Sequence, residues 1–118
     1  MPYTYDPYSG QYIVQPGDTL YRISRIVGLP VRSLIYFNPR LMANPNLIYP
    51  GQIIRIPPQT FIMTYTVKPG DTLFSILQEY NKSAEYTLSF YDLLGYNPQI
   101  INPNLIYPGM EIVMPEIF

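Results

Sequence analysis

Apolar positions in this chain fall in short bursts whose period changes from strand-like to helix-like and back. The change happens twice. Tyr12, Ile13 and Val14 form a compact run of β-formers. Pro16 and Gly17 end it. Leu20, Ile23 and Val27 then recur at i, i+3 and i+7, which predicts one apolar face of a helix. Asp18, just ahead of that face, is a good N-cap, with a carboxylate placed to accept the free N–H groups of the first turn. Gly28 fits the left-handed position that closes a helix. Pro30 opens a second short helix where its missing N–H costs nothing, with Val31, Leu34 and Ile35 as the inner face. That helix stops near Asn38 and Pro39. A last strand is expected over residues 53–56, closed by Pro57.

The same order returns downstream. "YIVQPGDTL" at residues 12–20 matches "YTVKPGDTL" at 65–73, Asn38-Pro39 matches Asn97-Pro98, and "NPNLIYPG" occurs unchanged at 44–51 and 102–109. In the second copy Asp71 is the expected cap, Leu73, Ile76 and Tyr80 the first helical face, and Phe90, Leu93 and Leu94 the second. Ser89 with Asp92 forms a capping box. Asn81 stands where Gly28 stood, and asparagine is the next best residue at a left-handed position. The second copy carries extra residues within 82–89 and one fewer before its octapeptide. These extra residues lengthen the inter-helix segment or the start of the second helix.

A solenoid would hold a stricter period. The pattern predicts an α+β protein of two tandem β-α-α-β modules, each a two-stranded antiparallel sheet with two helices on one face. The expected divisions are a tail at 1–11, module one at 12–57, a connector at 58–64, module two at 65–115 and a tail at 116–118. Phe61, Ile62 and Met63 make the connector too apolar for a free linker, so it is expected to pack on one or both modules. A module of this size buries little surface and is marginal alone.

Composition narrows the chemistry. The chain has 118 residues, 14 prolines and 13 tyrosines, and neither cysteine nor histidine. Disulfides, cysteine-based zinc sites and thiol chemistry are excluded, as are the commonest general base and the commonest metal ligand. No cofactor and no metal are expected. Catalysis is not expected either. A glycosidase needs two carboxylates roughly 5–9.5 Å apart, yet module one holds Asp18 alone. Asp71, Glu79, Glu85, Asp92 and Glu111 form no recognised pair.

The first ten residues have no basic start and no apolar run, so no signal peptide is expected there. No stretch reaches the roughly 20 apolar residues that span a bilayer. The location expected is a bacterial cell wall or spore layer if the chain is exported or part of a larger protein, and otherwise the cytoplasm.

Taken together, three ordered blocks, found twice, resemble the lysin motif (LysM) family. They are residues 14–20 with 67–73, Asn38-Pro39 with Asn97-Pro98, and "LIYPG" at 47–51 and 105–109 followed by a strand and proline. The resemblance covers both modules. It implies binding of glycans built from N-acetylglucosamine, such as peptidoglycan and chitin, in a shallow groove between the loop after the first strand and the loop before the second. Carried onto this chain, the implied contacts are Gly17, Asp18, Thr19, Leu20, Asn46, Leu47, Ile48 and Tyr49 in module one. In module two they are Gly70, Asp71, Thr72, Leu73, Asn104, Leu105, Ile106 and Tyr107.

The chemistry of these residues agrees with a neutral N-acetylated sugar. Apolar side chains suit the acetyl methyl and ring C–H faces, and unpaired N–H groups at a helix start suit its amide and hydroxyls. Each position also has a plain structural reading. Asp18 and Asp71 suit caps, Leu20 and Leu73 suit the core as well as the groove, and Tyr49 and Tyr107 suit either ligand or core. Asn44 and Asn102 suit the start of a turn.

Charge divides the modules. Module one sets Arg22, Arg25, Arg32, Arg40 and Arg55 against Asp18, a net +4, whereas residues 65–118 hold six acids against Lys68 and Lys82, a net −4. This describes two solvated faces, modules that attract each other, or a first module that favours anionic wall polymers. Nucleic acid is not an expected partner, because the chain is net −1 and carries no nucleic-acid motif. The two expected roles are a non-catalytic glycan binder acting by avidity, and a structural envelope or spore-layer protein that self-associates or packs on other proteins.

Overall fold

The computed structural model describes residues 10–59, 61–84 and 87–116. Most of the expected N-terminal tail, Glu85 and the last two residues lie outside this set. The chain divides into two compact units, Met1–Pro58 and Gln59–Phe118.

In the first unit, β1 (Gln11–Ile13) is followed by α1 (Leu20–Val27), α2 (Val31–Phe37), a 3₁₀ turn (Pro39–Met42) and β2 (Ile53–Arg55). β1 and β2 pair antiparallel with Tyr12 opposite Ile54. Pairing continues past the strand ends, where the Val14 N–H donates to Gln52 O and the Gly51 N–H to Val14 O, each at 2.8 Å. Alternation along the strands turns Tyr12, Val14, Ile54 and Ile56 inward, and helical spacing brings Leu20, Ile23 and Leu34 against them in one buried cluster.

The second unit repeats the order with β3 (Ile62–Thr66), α3 (Leu73–Ser83), α4 (Phe90–Tyr96) and β4 (Glu111–Pro115). β3 and β4 pair antiparallel with Tyr65 opposite Ile112. Val67, Leu73, Ile76, Leu93 and Ile112 are buried. Both units are thus the β-α-α-β arrangement expected from the hydrophobic pattern.

Several local expectations change. Ile62, Met63 and Thr64 fall in the stretch read as connector but form the first part of β3, opposite Pro115, Met114 and Val113. Sheet pairing accounts for their β-forming, apolar character. The helix caps are Thr19 and Thr72, not the aspartates before them. Each threonine hydroxyl accepts the N–H three residues on, from Arg22 and Ser75. Asn81 is not left-handed. α3 runs two residues past it, and its side-chain amide pairs with both backbone groups of Leu88. Pro30 sits at the cap position of α2 rather than inside its first turn. Ser89 does cap α4, accepting from the Asp92 N–H. Gly28 closes α1 with φ 78°, as expected.

Candidate functional site

Pro-Gly pairs shape the loops around each module's expected groove. The Asp18 N–H donates to Gln15 O and the Gln52 N–H to Tyr49 O, so Pro16-Gly17 and Pro50-Gly51 each form the centre of a tight turn. Gly17 and Gly51 have φ of 86° and 88°. Proline second and a left-handed glycine third is the chemistry of a type II turn. Module two repeats it through the Asp71 to Lys68 and Met110 to Tyr107 bonds. The recurring octapeptide therefore has a structural role, because its Pro-Gly turn joins the end of the first strand through Val14 or Val67.

The aspartates brace the opposite loop. Asp18 Oδ2 accepts from the Tyr12 hydroxyl at 2.6 Å and from the Gln15 N–H at 2.8 Å. Asp71 Oδ2 accepts in the same way from Tyr65 and from the Lys68 N–H. The Tyr65 hydrogen bond, with help from the Lys68 N–H, lowers the Asp71 pKa, and the Asp71 carboxylate raises that of Tyr65. These carboxylates hold a loop rather than cap a helix.

In module two the two loops enclose a depression of about 170 Å³. Asp71, Thr72, Leu73 and Phe74 line one side. Phe90 lies at the start of α4, and Pro103, Asn104 and Ile106 line the other side. Five of the eight residues expected in this module are brought together here. Gly70, Leu105 and Tyr107 stay outside its lining, with Leu105 and Tyr107 exposed.

Burial separates the remaining candidates. Leu20 and Leu73 are 5% and 2% exposed, so their side chains belong to the cores and offer a ligand at most an edge. Ile48 packs against the module-one core. Gly17, Thr19 and Asn46 are exposed, as are Leu47 and Tyr49, the tyrosine at 58%.

Phe74, Phe90 and Pro103 were missed from sequence. A signal for Phe74 was present: an aromatic follows the "GDTL" block in both copies, as Tyr21 and Phe74, 62% and 60% exposed in the structure. A core residue would be hidden, so their exposure on a first helical turn marks them as surface residues, and Phe74 lines the depression.

Among the described residues, no cluster of three acidic, histidine or cysteine side chains is placed to hold a metal. The depression itself offers the apolar faces of Phe74, Phe90, Pro103 and Ile106, the Thr72 hydroxyl, the Asn104 amide and the Asp71 carboxylate, a mixture that lines many small-ligand sites.

The LysM domain family matches residues 12–57 and 65–115. An endolysin of Bacillus phage B103 is 37% identical over 103 residues, covering 86% of this chain and 36% of the relative. The putative sporulation-specific glycosylase YdhD of Bacillus subtilis is 35% identical, covering 90% of this chain and 22% of the relative. The secreted LysM effector ECP6 of Passalora fulva is 30% identical over 91% of this chain and 46% of its own length. The chain spans less than half the length of each of these relatives.

Proposed function

The chain belongs to the LysM domain family, and from that premise we propose that it is a non-catalytic binder of N-acetylglucosamine-containing glycan, most naturally bacterial peptidoglycan, with chitin-type oligomers as smaller ligands. The depression between the repeated loops of module two carries the reading. It pairs Phe74, Phe90 and Ile106 with the hydroxyl of Thr72 and the amide of Asn104, which suits a neutral sugar bearing both acetyl methyl and amide. Relatives named as an endolysin and a sporulation-specific glycosylase support a place in the cell wall or spore layer. Among the described residues no helix is long and apolar enough to cross a membrane.

Three of the acids have structural partners. Asp18 and Asp71 are committed to loop bracing, and Glu79 pairs with Lys82 at 3.2 Å. Titration with chitin oligomers of increasing length, followed by NMR, should move Gly17 to Leu20 and Asn46 to Tyr49, and in module two Asp71 to Phe74 and Asn104 to Ile106. The response should change little with salt, because the sugar is neutral. Shifts confined to other surfaces, or none at millimolar sugar, defeat the proposal.

A second reading, packing in an envelope or spore layer through protein contacts, is favoured by Phe61, Ile62 and Ile101. All three are exposed and none lines the depression. Concentration-dependent self-association without glycan binding would support it.

A further inference from the structure

Each sheet has two strands among the described residues, so each of the four strands keeps one edge with no strand beside it. A bare edge is a template for pairing with another chain, and native proteins blunt it. Side chains do so here at three of the four. On β2 the Asn38 amide donates to Arg55 O and accepts from the Arg55 N–H, both at 2.8 Å. Asn97 does the same at Val113 of β4, where the Tyr80 hydroxyl also donates to Pro115 O. β1 has three residues, and the Gln15 amide donates to its Ile13 carbonyl at 3.2 Å.

β3 is the exception. The Glu116 N–H donates to Phe61 O and the Val67 N–H to Met110 O, so the odd-numbered residues of this stretch turn their backbone groups to β4. By alternation the N–H and C=O groups of Ile62, Thr64 and Thr66 face the open edge. Among the described residues no strand or side chain meets them there. Lys68 stands in the place of Gln15, and its ammonium lies over the Tyr65 ring, 5.9 Å from the centroid. The strand is five residues long, with neither charge nor proline.

We infer that two copies of the chain meet at this edge: β3 pairs antiparallel with β3 of a second copy about a two-fold axis through Thr64. The inference deepens the self-association reading above, on which it rests, and is independent of glycan binding. A second copy fits because the strand is its own complement. Centred on the axis, Thr64 meets Thr64 and Ile62 meets Thr66 of the second copy, and each pair exchanges two backbone bonds. Threonine and β-branched pairs of this kind favour a sheet. On the other face Met63 meets Tyr65 of the second copy, a sulfur–aromatic contact. Both now line an open depression of about 340 Å³ beside α3. Ile62, 45% exposed, gains cover. An uncharged strand sets no like charges against each other across the axis. The net −4 of residues 65–118 lies off the strand, and its repulsion between copies is screened by salt, so association should strengthen as salt rises. An attraction between the basic module of one copy and the acidic module of another would weaken instead. One strand pair makes a small interface, so the dimer is weak and concentration-dependent.

Sedimentation of the intact chain from micromolar to millimolar concentration provides the test. Monomer should pass to dimer, and at lower concentration in high salt. Amide exchange should show Ile62, Thr64 and Thr66 protected in the concentrated sample alone, and Met63 and Tyr65 protected in both. Thr64→Pro removes the central donors of the pair, which β4 does not use, and should weaken association by roughly 5- to 150-fold. Thr64→Lys sets like charges on the axis and should weaken it by up to about fivefold, as should Thr64→Glu. Mixing the Lys and Glu variants should restore it. Unchanged melting of the dilute variants shows that they are folded. A chain that stays monomeric at millimolar concentration overturns the self-association reading and this inference together. Association that survives Thr64→Pro, gains nothing from the Lys–Glu mixture, or protects residues other than the alternating three leaves self-association standing and overturns the β3 edge.

Discussion

The hydroxyl of Tyr12 donates to Asp18 Oδ2 at 2.6 Å across six residues of chain. The tyrosine ring is buried, whereas the carboxylate sits at the loop that leads into α1. One bond thereby ties the sheet to the loop expected to hold ligand. Tyr65 and Asp71 repeat it at 2.6 Å.

Removing that tie should cost stability before it costs anything else. Tyr12→Phe keeps the buried ring and loses one charge-assisted bond, a loss of about 1–2 kcal/mol. Asp18→Ala should cost more, because it removes the acceptor of both the Tyr12 hydroxyl and the Gln15 N–H. Thr19→Ala removes the true cap and should cost about 1 kcal/mol. Denaturant unfolding measures all three. If Asp18→Ala cost less than Thr19→Ala, the bracing role assigned to the aspartate would be wrong.

The second module's pair predicts a plateau in its pH dependence. Asp71 is depressed below its ordinary value of 3.8, chiefly by the Tyr65 hydrogen bond. Its contribution is therefore present above the unfolded value and lost as pH falls through the folded one. Tyr65 is raised above 10.0, chiefly by its bond to Asp71. Its contribution is present below the unfolded value and lost as pH rises through the folded one. Protection of the amides over residues 65–73, taken relative to their intrinsic exchange rate at each pH, should be level between these limits and fall toward acid below 3.8. Asp71→Asn should remove the acid limb; an unchanged limb would place the titration elsewhere.

Asn97 should be the most sensitive polar position in module two. It is fully buried, donates to Leu93 O and Val113 O at 2.8 Å, and accepts from the Val113 N–H at 2.7 Å. The side chain ends α4 and clips it to β4. Asn97→Ala leaves three backbone groups without partners and should cost about 3 kcal/mol, enough to unfold so small a module. Module one is a separate unit and should keep its NMR spectrum. Folded module two in this variant would refute the clip.

Element order, sheet pairing and the cores were legible because each rests on local period and turn chemistry. The Asn38 and Asn97 clips were not. Asn38 meets Arg55, 17 residues away, and only the closed fold brings them together. The caps were misread for a related reason. Aspartate and threonine are both good cap residues by propensity, and Asp18 is drawn off by a tyrosine on the strand. Asn81 was misread because its side chain found Leu88 in the longer inter-helix segment, so the helix had no need to end there. At the groove, Leu20 and Leu73 satisfied the ligand pattern and the core pattern alike, and burial assigned them to the core.

Tyr49 and Tyr107 were open between ligand and core. At 58% and 56% exposure they are surface residues. Tyr49→Ala and Tyr107→Ala should therefore change stability by no more than about 0.5 kcal/mol. If they form the outer wall of each groove, retention on peptidoglycan should fall while the melting temperature stays. A drop of the size of a buried aromatic truncation, about 3–5 kcal/mol, would return them to the core.

If module one binds as module two is proposed to, two sites on one chain should matter more than either alone. A shallow site such as the module-two depression recovers little free energy against the cost of ordering a flexible sugar. The units meet in sequence at Pro58 and Gln59, with no long spacer between them. A short tether gives the second binding step a high effective concentration wherever one polymer reaches both sites, and this raises avidity by roughly 10²–10⁴ without a new contact. The intact chain should therefore stay on insoluble peptidoglycan through washes that remove residues 1–58 or 59–118 alone, each first shown to be folded. Phe74→Ala in the intact chain should reduce retention toward that of module one. Should residues 1–58 be retained as well as the whole chain, module two is no co-binder, and its exposed Phe61, Ile62 and Ile101 become the better guide to its role.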